Sequence, residues 1–348
     1  MADRVEWGRG REAAFVEWID AELRDAQQAR LGLDRQHRDY LEQYRAPAKQ
    51  PRRTFPYEDA ANYVLPVTAT AADQLNAKFL QTVHAPENLW TVHPLNEGWT
   101  NAAKPLQDWL TFLDLNLLRM YRVNKRVFRE MLLLGTGIYK HGWLYERRPI
   151  WTYDEDGRRV RGDRVASLPF VDGVRCSDFL MPAYSYAVQP DDQGGAPWVA
   201  ERLRIPTARF LWLADAQAPV QPVIDKQTAA FITRFEEPEK PEHDTKIQQL
   251  DFEKRSTSGF ATKDGDAFDK DTSDAAGQGA TLHRPKEIEL WEVHARFPTQ
   301  GNSSEDDIVV WYHQPTRRVV RATYNPYHHN TRPYEVVRYS PGDGFWGI

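Results

Sequence analysis

Through the first part of the chain, apolar residues recur every three or four positions. Phe15, Ile19, Leu23 and Ala26 form one such stripe, the mark of an amphipathic helix. Gly32 is expected to interrupt it, and Tyr40 and Tyr44 to lie on a second short helix before Pro47 and Pro51. Pro66 stands where a first-turn proline is tolerated. Val67, Ala71, Leu75, Phe79 and Val83 then line one face of a helix that Pro86 ends. A longer periodic segment, Pro105 to Leu134, carries Leu106, Leu110, Leu113, Leu117, Phe128 and Met131. At about 30 residues it exceeds the usual helix length, so a break is predicted near Tyr121 to Lys125. Gly135 offers a C-terminal cap, because glycine accepts the left-handed conformation there.

After Gly137 the period changes to two. Ile138–Tyr153 and Arg158–Val165 flank Asp154-Glu155-Asp156-Gly157, whose Asp-Gly step predicts a hairpin turn. Short strands are predicted at Leu168–Val171 and Trp198–Ile205. Helices are predicted across Ala208–Ala214, with Thr207 as cap, and across Lys226–Phe235. Near the end, Trp291, Val293, Ala295 and Phe297 alternate with Glu292, His294 and Arg296. Ile308–His313 and Arg318–Tyr324 read as two further strands about a turn at Pro315-Thr316-Arg317. Between these regions Glu236–Arg284 is rich in Asp, Ser, Thr and Gly and poor in large apolar side chains, which fits a mobile linker or insert. The expected fold class is α+β, a helical N-terminal half followed by β-rich segments with hairpins. Five stretches follow: a helical arm at 1–50, a helical region at 51–137, a mixed region at 138–235, the acidic insert at 236–285 and a β-rich terminal region at 286–348.

Composition narrows the class. The 348 residues carry 45 Lys and Arg against 50 Asp and Glu, a formal charge of −5. Glu236–Arg284 holds twelve acids and seven bases, so the remainder balances at 38 of each. Such a body is poorly suited to gripping DNA through dense phosphate neutralisation. An apolar share of 41% is too high for a disordered chain, while a mean hydropathy of −0.68 keeps it water-facing. No run approaches the roughly 18 apolar residues that cross a bilayer. Met1-Ala2-Asp3-Arg4-Val5-Glu6 has no apolar stretch of the kind a secretory signal uses. Cys176 is the single cysteine, so neither an internal disulfide nor a thiolate zinc cage can form, in keeping with a reducing compartment.

Catalytic patterns are missing. There is no G-x-x-x-x-G-K-[ST] loop, no G-x-S-x-G and no H-E-x-x-H. Gly135-Thr136-Gly137 lacks a third glycine and precedes a strand, so it reads as a helix cap and turn. His294, His313, His328 and His329 share no ligand spacing and read as structural histidines, although a metal-dependent nuclease built on them is an alternative. No catalytic residue, metal ligand or cofactor is assigned. One charge pattern is more specific: Arg119, Arg122, Arg126 and Arg129, at steps of three, four and three, fall on one helical face with Lys125 beside them. Planar guanidinium groups suit carboxylates and phosphates. The face is therefore a candidate for intrachain ion pairs, for a neighbouring subunit or for nucleic-acid phosphate. Trp90, Trp99, Trp109, Trp143, Trp198 and Trp291 lie in ordered segments and are expected in cores, although tryptophan and arginine also anchor interfaces.

Several segments carry more when taken in order. Phe55-Pro56-Tyr57-Glu58-Asp59-Ala60-Ala61-Asn62 and Leu65-Pro66-Val67-Thr68-Ala69-Thr70-Ala71-Ala72-Asp73-Gln74-Leu75 lead into a helix. Phe79-Leu80 and Trp90-Thr91-Val92-His93-Pro94 follow, and Leu132-Leu133-Leu134-Gly135-Thr136-Gly137-Ile138-Tyr139-Lys140 crosses from helix to strand. Ser177-Asp178-Phe179, Trp198-Val199-Ala200-Glu201-Arg202, Glu289-Leu290-Trp291-Glu292-Val293, Asn325-Pro326-Tyr327 and Pro333-Tyr334-Glu335-Val336-Val337 complete the set, which spans Arg52 to Ile348. In this order they resemble the portal proteins of tailed bacteriophages.

The resemblance implies a homo-oligomeric ring, usually a dodecamer, at one vertex of the capsid. Double-stranded DNA passes non-specifically through the channel of such a ring during packaging and ejection. Its implied partners are the large terminase motor, the major capsid and scaffolding proteins and the tail adaptors, with no membrane. Its implied location is the virion, after assembly in the host cytoplasm. The family continues past a Gly-Phe-Trp-Gly-like segment into a channel helix and crown, so Gly344-Phe345-Trp346-Gly347-Ile348 implies a truncated portal. Another phage head or tail adaptor protein is the alternative structural reading.

Overall fold

The computed structural model describes residues 4–45, 66–86, 89–153, 157–214, 224–235, 287–301, 304–327, 331–340 and 345–347. Helices come first: α1 (Arg11–Arg45), α2 (Val67–His84), α3 (Thr100–Phe112) and α4 (Met120–Leu134). Strands β1 (Thr136–Tyr153), β2 (Arg159–Val174), β3 (Phe179–Leu180) and β4 (Trp198–Pro206) follow, then the short helices α5 (Thr207–Leu213) and α6 (Lys226–Arg234). The described chain closes with β5 (Glu287–Phe297), β6 (Asp306–His313), β7 (Arg318–Tyr324) and β8 (Tyr334–Arg338). The class is α+β. Strands β3-β4-β5-β6-β7 form one antiparallel sheet and β2-β1-β8 a second.

The five-stranded sheet is covered on both faces, and β5 shows why. Its alternation sends Trp291, Val293, Ala295 and Phe297 to one side, where Phe15, Ile19, Leu23 and Ala26 of α1 meet them. Phe15 and Phe297 pack edge to face at 5.2 Å, with Trp18 5.5 Å from Phe297. Full burial of each such side chain contributes about 1.5–3 kcal/mol. Ile288 and Leu290 face the other side and meet Phe210 of α5 and Ile232 of α6. A third core of Ile138, Val174, Phe179, Tyr334 and Phe345 fills the junction of the two sheets. The N-terminal arm and the terminal β-rich region thus share one core.

Most predicted elements form where expected, and the departures have identifiable causes. Helix α1 runs unbroken through Gly32, although a glycine in a helix interior costs about 1 kcal/mol. Anchors on both sides of it hold the helix. Arg30 donates to the Phe179 carbonyl and stacks 4.5 Å above Trp346, and His37 is buried. In α2 the stripe Val67, Leu75, Phe79 and Val83 is exposed, and the face turned to α4 carries Asn76, Leu80 and His84 instead. Polar bonds set that rotation: Asn76 Nδ2 donates to the Lys125 carbonyl at 3.3 Å, and Asn124 Nδ2 donates to His84 Nε2 at 3.0 Å.

The break in the long helical segment falls at Leu113–Arg119, somewhat earlier than predicted. Leu113–Leu118 wind as a π-helical turn, and Arg119 reverses into the left-handed region at φ 52°. Gly135 caps α4 at φ 79°, as its sequence position suggests. Strands Arg158–Val165 and Leu168–Val171 merge into the single β2, paired with β1 from Ile138↔Val174 to Tyr153↔Arg159. Helix α5 begins at Thr207 with Pro206 before it, so Thr207 is not its cap. By contrast α6 is capped by Asp225, which accepts from the Thr228 N–H at 3.0 Å. Turn residues 154–156, the acidic stretch Glu236–Arg284 and the segment Phe55–Leu65 lie outside the described residues.

Candidate subunit interface

Helix α4 sits directly on the root of the β1–β2 hairpin. Two glycines permit this approach. A Cβ on Gly137 of β1 would lie 2.6 Å from Val127 Cγ1, and one on Gly173 of β2 would lie 2.6 Å from Val127 Cγ2. Seated there, α4 presents its arginines outward, and the structure divides the predicted set. Arg126 is bound within the subunit, donating to the Asp172 carboxylate and, at 2.6 Å, to the Gly173 carbonyl. Arg129 is likewise engaged, stacking 4.9 Å above the Tyr44 ring and donating to its hydroxyl at 2.7 Å; Tyr44 donates in turn to Asp73. Arg122 is exposed on the same face. Arg119 is exposed at the reversal before α4, so it flanks that face without sharing its helical register.

Behind this face α1, α2 and α4 enclose a groove of about 620 Å³, lined by Tyr44, Asn76, His84, Tyr121, Lys125 and Arg129 among others. His84 of its lining is bonded to Asn124, to whose Oδ1 Tyr139 donates at 2.8 Å; burial pushes the Tyr139 hydroxyl pKa up to about 12. Asp73 shares the groove with Lys125 and Arg129, so its charges are mixed rather than uniformly basic.

A charge cluster that no spacing announced lies where the two sheets meet. Glu201 of β4 and Glu292 of β5 stand directly opposite each other in the register, and like charges so placed repel. Lys140 of β1 bridges them, with Nζ 2.5 Å from Glu201 and 2.7 Å from Glu292. Trp311 Nε1 donates to Glu292 at 3.0 Å, the Tyr334 hydroxyl donates to Glu201 at 3.0 Å, and His294 Nε2 lies 3.2 Å from Glu292. Burial opposes the charge on Glu292, but Lys140 and His294 outweigh it and hold its carboxyl well below the usual range. For Glu201 burial prevails, raising its pKa despite Lys140. The bridge joins the second sheet to the first, and the groove between α1, α2 and α4 is not lined by it. Of the other three histidines weighed as ligands, His313 Nδ1 lies 2.7 Å from Thr316 Oγ1, and His328 and His329 fall outside the described residues. Among the described residues no group of three or more His, Cys, Asp and Glu is placed to hold a metal.

The tryptophans divide sharply. Trp198 and Trp291 are buried as expected, whereas Trp90, Trp99, Trp109 and Trp143 are exposed. The expectation of cores fails for these four because, among the described residues, nothing packs over the apolar faces of α3 and β1 that carry Trp109 and Trp143, and Trp90 and Trp99 lie outside any long element. No residue of α3 is buried, although Trp109, Leu106 and Phe112 give it an apolar stripe. Along β1, Trp143, Trp151 and Tyr153 are 62%, 60% and 77% exposed. Among the described residues no helix is long and apolar enough to cross a membrane. Compared with known proteins, the sequence matches no family model and no curated protein.

Proposed function

We propose that this chain is a subunit of a phage portal ring, through which double-stranded DNA enters and leaves a capsid. The observation that carries the proposal is a well-packed body bearing uncovered tryptophan-rich faces on α3 and β1. Monomers rarely leave apolar patches beyond a few hundred Å² open to water. A ring member must, because its neighbours complete it. The ordered resemblance supplies the particular kind of ring, and the balance of 38 acids and 38 bases outside Glu236–Arg284 suits a wall along which DNA slides. Arg122 and Arg119, exposed beside α4, are the arginines offered to an acidic surface of the next subunit or to passing phosphate. In this role the chain is not an enzyme: the motor activity belongs to the terminase that docks on it.

Negative-stain electron microscopy and native mass spectrometry of the purified chain test the proposal. Closed rings with a central pore and a single dominant subunit number are expected. A population of monomers or of fibres at micromolar concentration would refute it, and fibres would favour another head or tail structural protein.

A further inference from the structure

We infer that copies of this chain join head to tail, the aromatic face of the β1–β2 ribbon of one copy lying on the uncovered stripe of α3 of the next. The inference rests on the ring reading above and names its contact. Three observations carry it. First, beyond its root the ribbon has no third strand among the described residues. Among the described residues β1 and β2 pair beyond their root with each other alone, since the pairing of β8 with β1 ends at Lys140. A two-stranded ribbon is marginal in water unless something packs against it. Trp143, Trp151 and Tyr153 have the same parity on β1 and so share one face, and Arg159, opposite Tyr153, stacks 4.6 Å from the Trp151 ring on that face.

Second, the areas match each other and match an interface. Trp99, Leu106, Trp109 and Phe112 are between 46% and 65% exposed on and just before α3. At roughly 150–250 Å² per large aromatic side chain, the α3 residues together open on the order of 500 Å² along about 20 Å of chain, and the three ribbon aromatics a similar area spread along about 33 Å of β1. A stable interface covers about 800 Å² per partner, a little over half of it apolar. Third, charges of both signs stand at each rim, so ion pairs can form across a crossed contact; on the ribbon, Arg158 and Arg159 follow the acidic sequence Asp154-Glu155-Asp156. Glu97 and Asp108 (the latter bridged to Lys104 at 3.2 Å) flank the tryptophans of α3, while Arg158 and Arg159 flank those of the ribbon. An isologous contact through either patch would leave the other in water. A heterologous contact covers both at once, and it is the kind that closes into rings.

Complementation between two variants of the full chain tests this. Trp109→Glu spoils the helical patch and keeps the ribbon; Trp151→Glu does the reverse. Alone, each is expected to remain monomeric by native mass spectrometry, with an unchanged far-ultraviolet dichroism spectrum. Mixed in equal amounts, they retain one intact contact between them and should give a 1:1 dimer that grows no further. Oxidative cross-linking of a Leu106→Cys copy to a Tyr153→Cys copy provides a second measure that leaves both tryptophans in place. Two results overturn the contact: a mixture that stays monomeric and uncross-linked, or variants that assemble as the unaltered chain does. Pored rings from both variants would discard the contact and leave the portal reading standing. Open head-to-tail chains from the unaltered protein, with the 1:1 dimer from the mixture, would uphold the contact and discard the closed ring.

Discussion

The five-stranded sheet and the β1–β2 ribbon are both antiparallel and both carry tryptophan, yet they treat it oppositely. In the sheet, α1 covers one face and α5 and α6 the other, and Trp198 is wholly buried with its indole N–H donating to Glu22 at 2.8 Å. In the ribbon, Trp143 donates to Ser167 at 2.8 Å but lies open to water. The strand conformation is the same; the difference is the layer above it. A strand buries its aromatic face only if some other element supplies a second surface, and among the described residues Trp143, Trp151 and Tyr153 of the ribbon receive none. What distinguishes a buried aromatic face from an exposed one here is therefore topology rather than residue type.

The largest expected effect comes from cutting the joint between these two regions. Lys140→Met removes the cation between Glu201 and Glu292, leaving two mostly buried carboxylates opposed across β4 and β5. Removing one partner of a buried ion pair typically costs about 3–5 kcal/mol. Urea unfolding at pH 8 should show a loss of that order. Without Lys140 the carboxyls hold their protons more tightly in the folded state than in the unfolded one, and a pKa raised by folding adds stability on the acid side. The deficit should therefore shrink when the titration is repeated at pH 4.5. A deficit that is small, or equal at both pH values, would show that the sheets are held together by the Ile138–Phe179–Tyr334 core alone.

Much of this contrast can be read from sequence, and what cannot has physical causes. The stripe Phe15, Ile19, Leu23 and Ala26 and the alternation of β5 name the residues of the main core, because a period reports which face an element buries. A period does not report whether anything lies opposite. For that reason the apolar stripes of α2 and α3 are plain in the sequence and yet exposed in the structure. Gly32 carried a true local cost, but the anchors at Arg30 and His37 that overrule it are tertiary. Arginine spacing found Arg122, Arg126 and Arg129 correctly as one face; it could not foresee the left-handed Arg119 or the capture of Arg126 by Asp172. Lys140, Glu201 and Glu292 were hidden altogether, since their meeting depends on strand register across residues 61 and 152 apart in the chain.

A smaller effect lies within the covered sheet. His313 at the end of β6 is only 3% exposed, and burial lowers its pKa from 6.5 to about 4. The unfolded chain binds a proton that the folded chain refuses, so this contribution is complete above the ordinary histidine value and is lost as pH falls from 6.5 towards 4. The shift corresponds to about 3 kcal/mol at most. His313→Gln should flatten that part of the stability profile, measured as urea midpoints across the same window. An unchanged slope would mean that the end of β6 opens readily to water and that coverage of the sheet stops short of it.

The smallest effect is expected in the ribbon, at Trp151→Ser. In a core the loss of such a side chain costs about 3–5 kcal/mol through transfer and cavity terms. Trp151, at 60% exposure, leaves no cavity behind, and in the isolated subunit it gives up chiefly the stacked guanidinium of Arg159. Exposed contacts of that kind contribute about 0.5–1 kcal/mol. Thermal unfolding of the dilute monomer should therefore barely move, while subunit association, followed by sedimentation velocity, should weaken by far more. A loss of several kcal/mol in the monomer would mean that the chain covers its own ribbon. A silent result in both assays would mean that nothing else does.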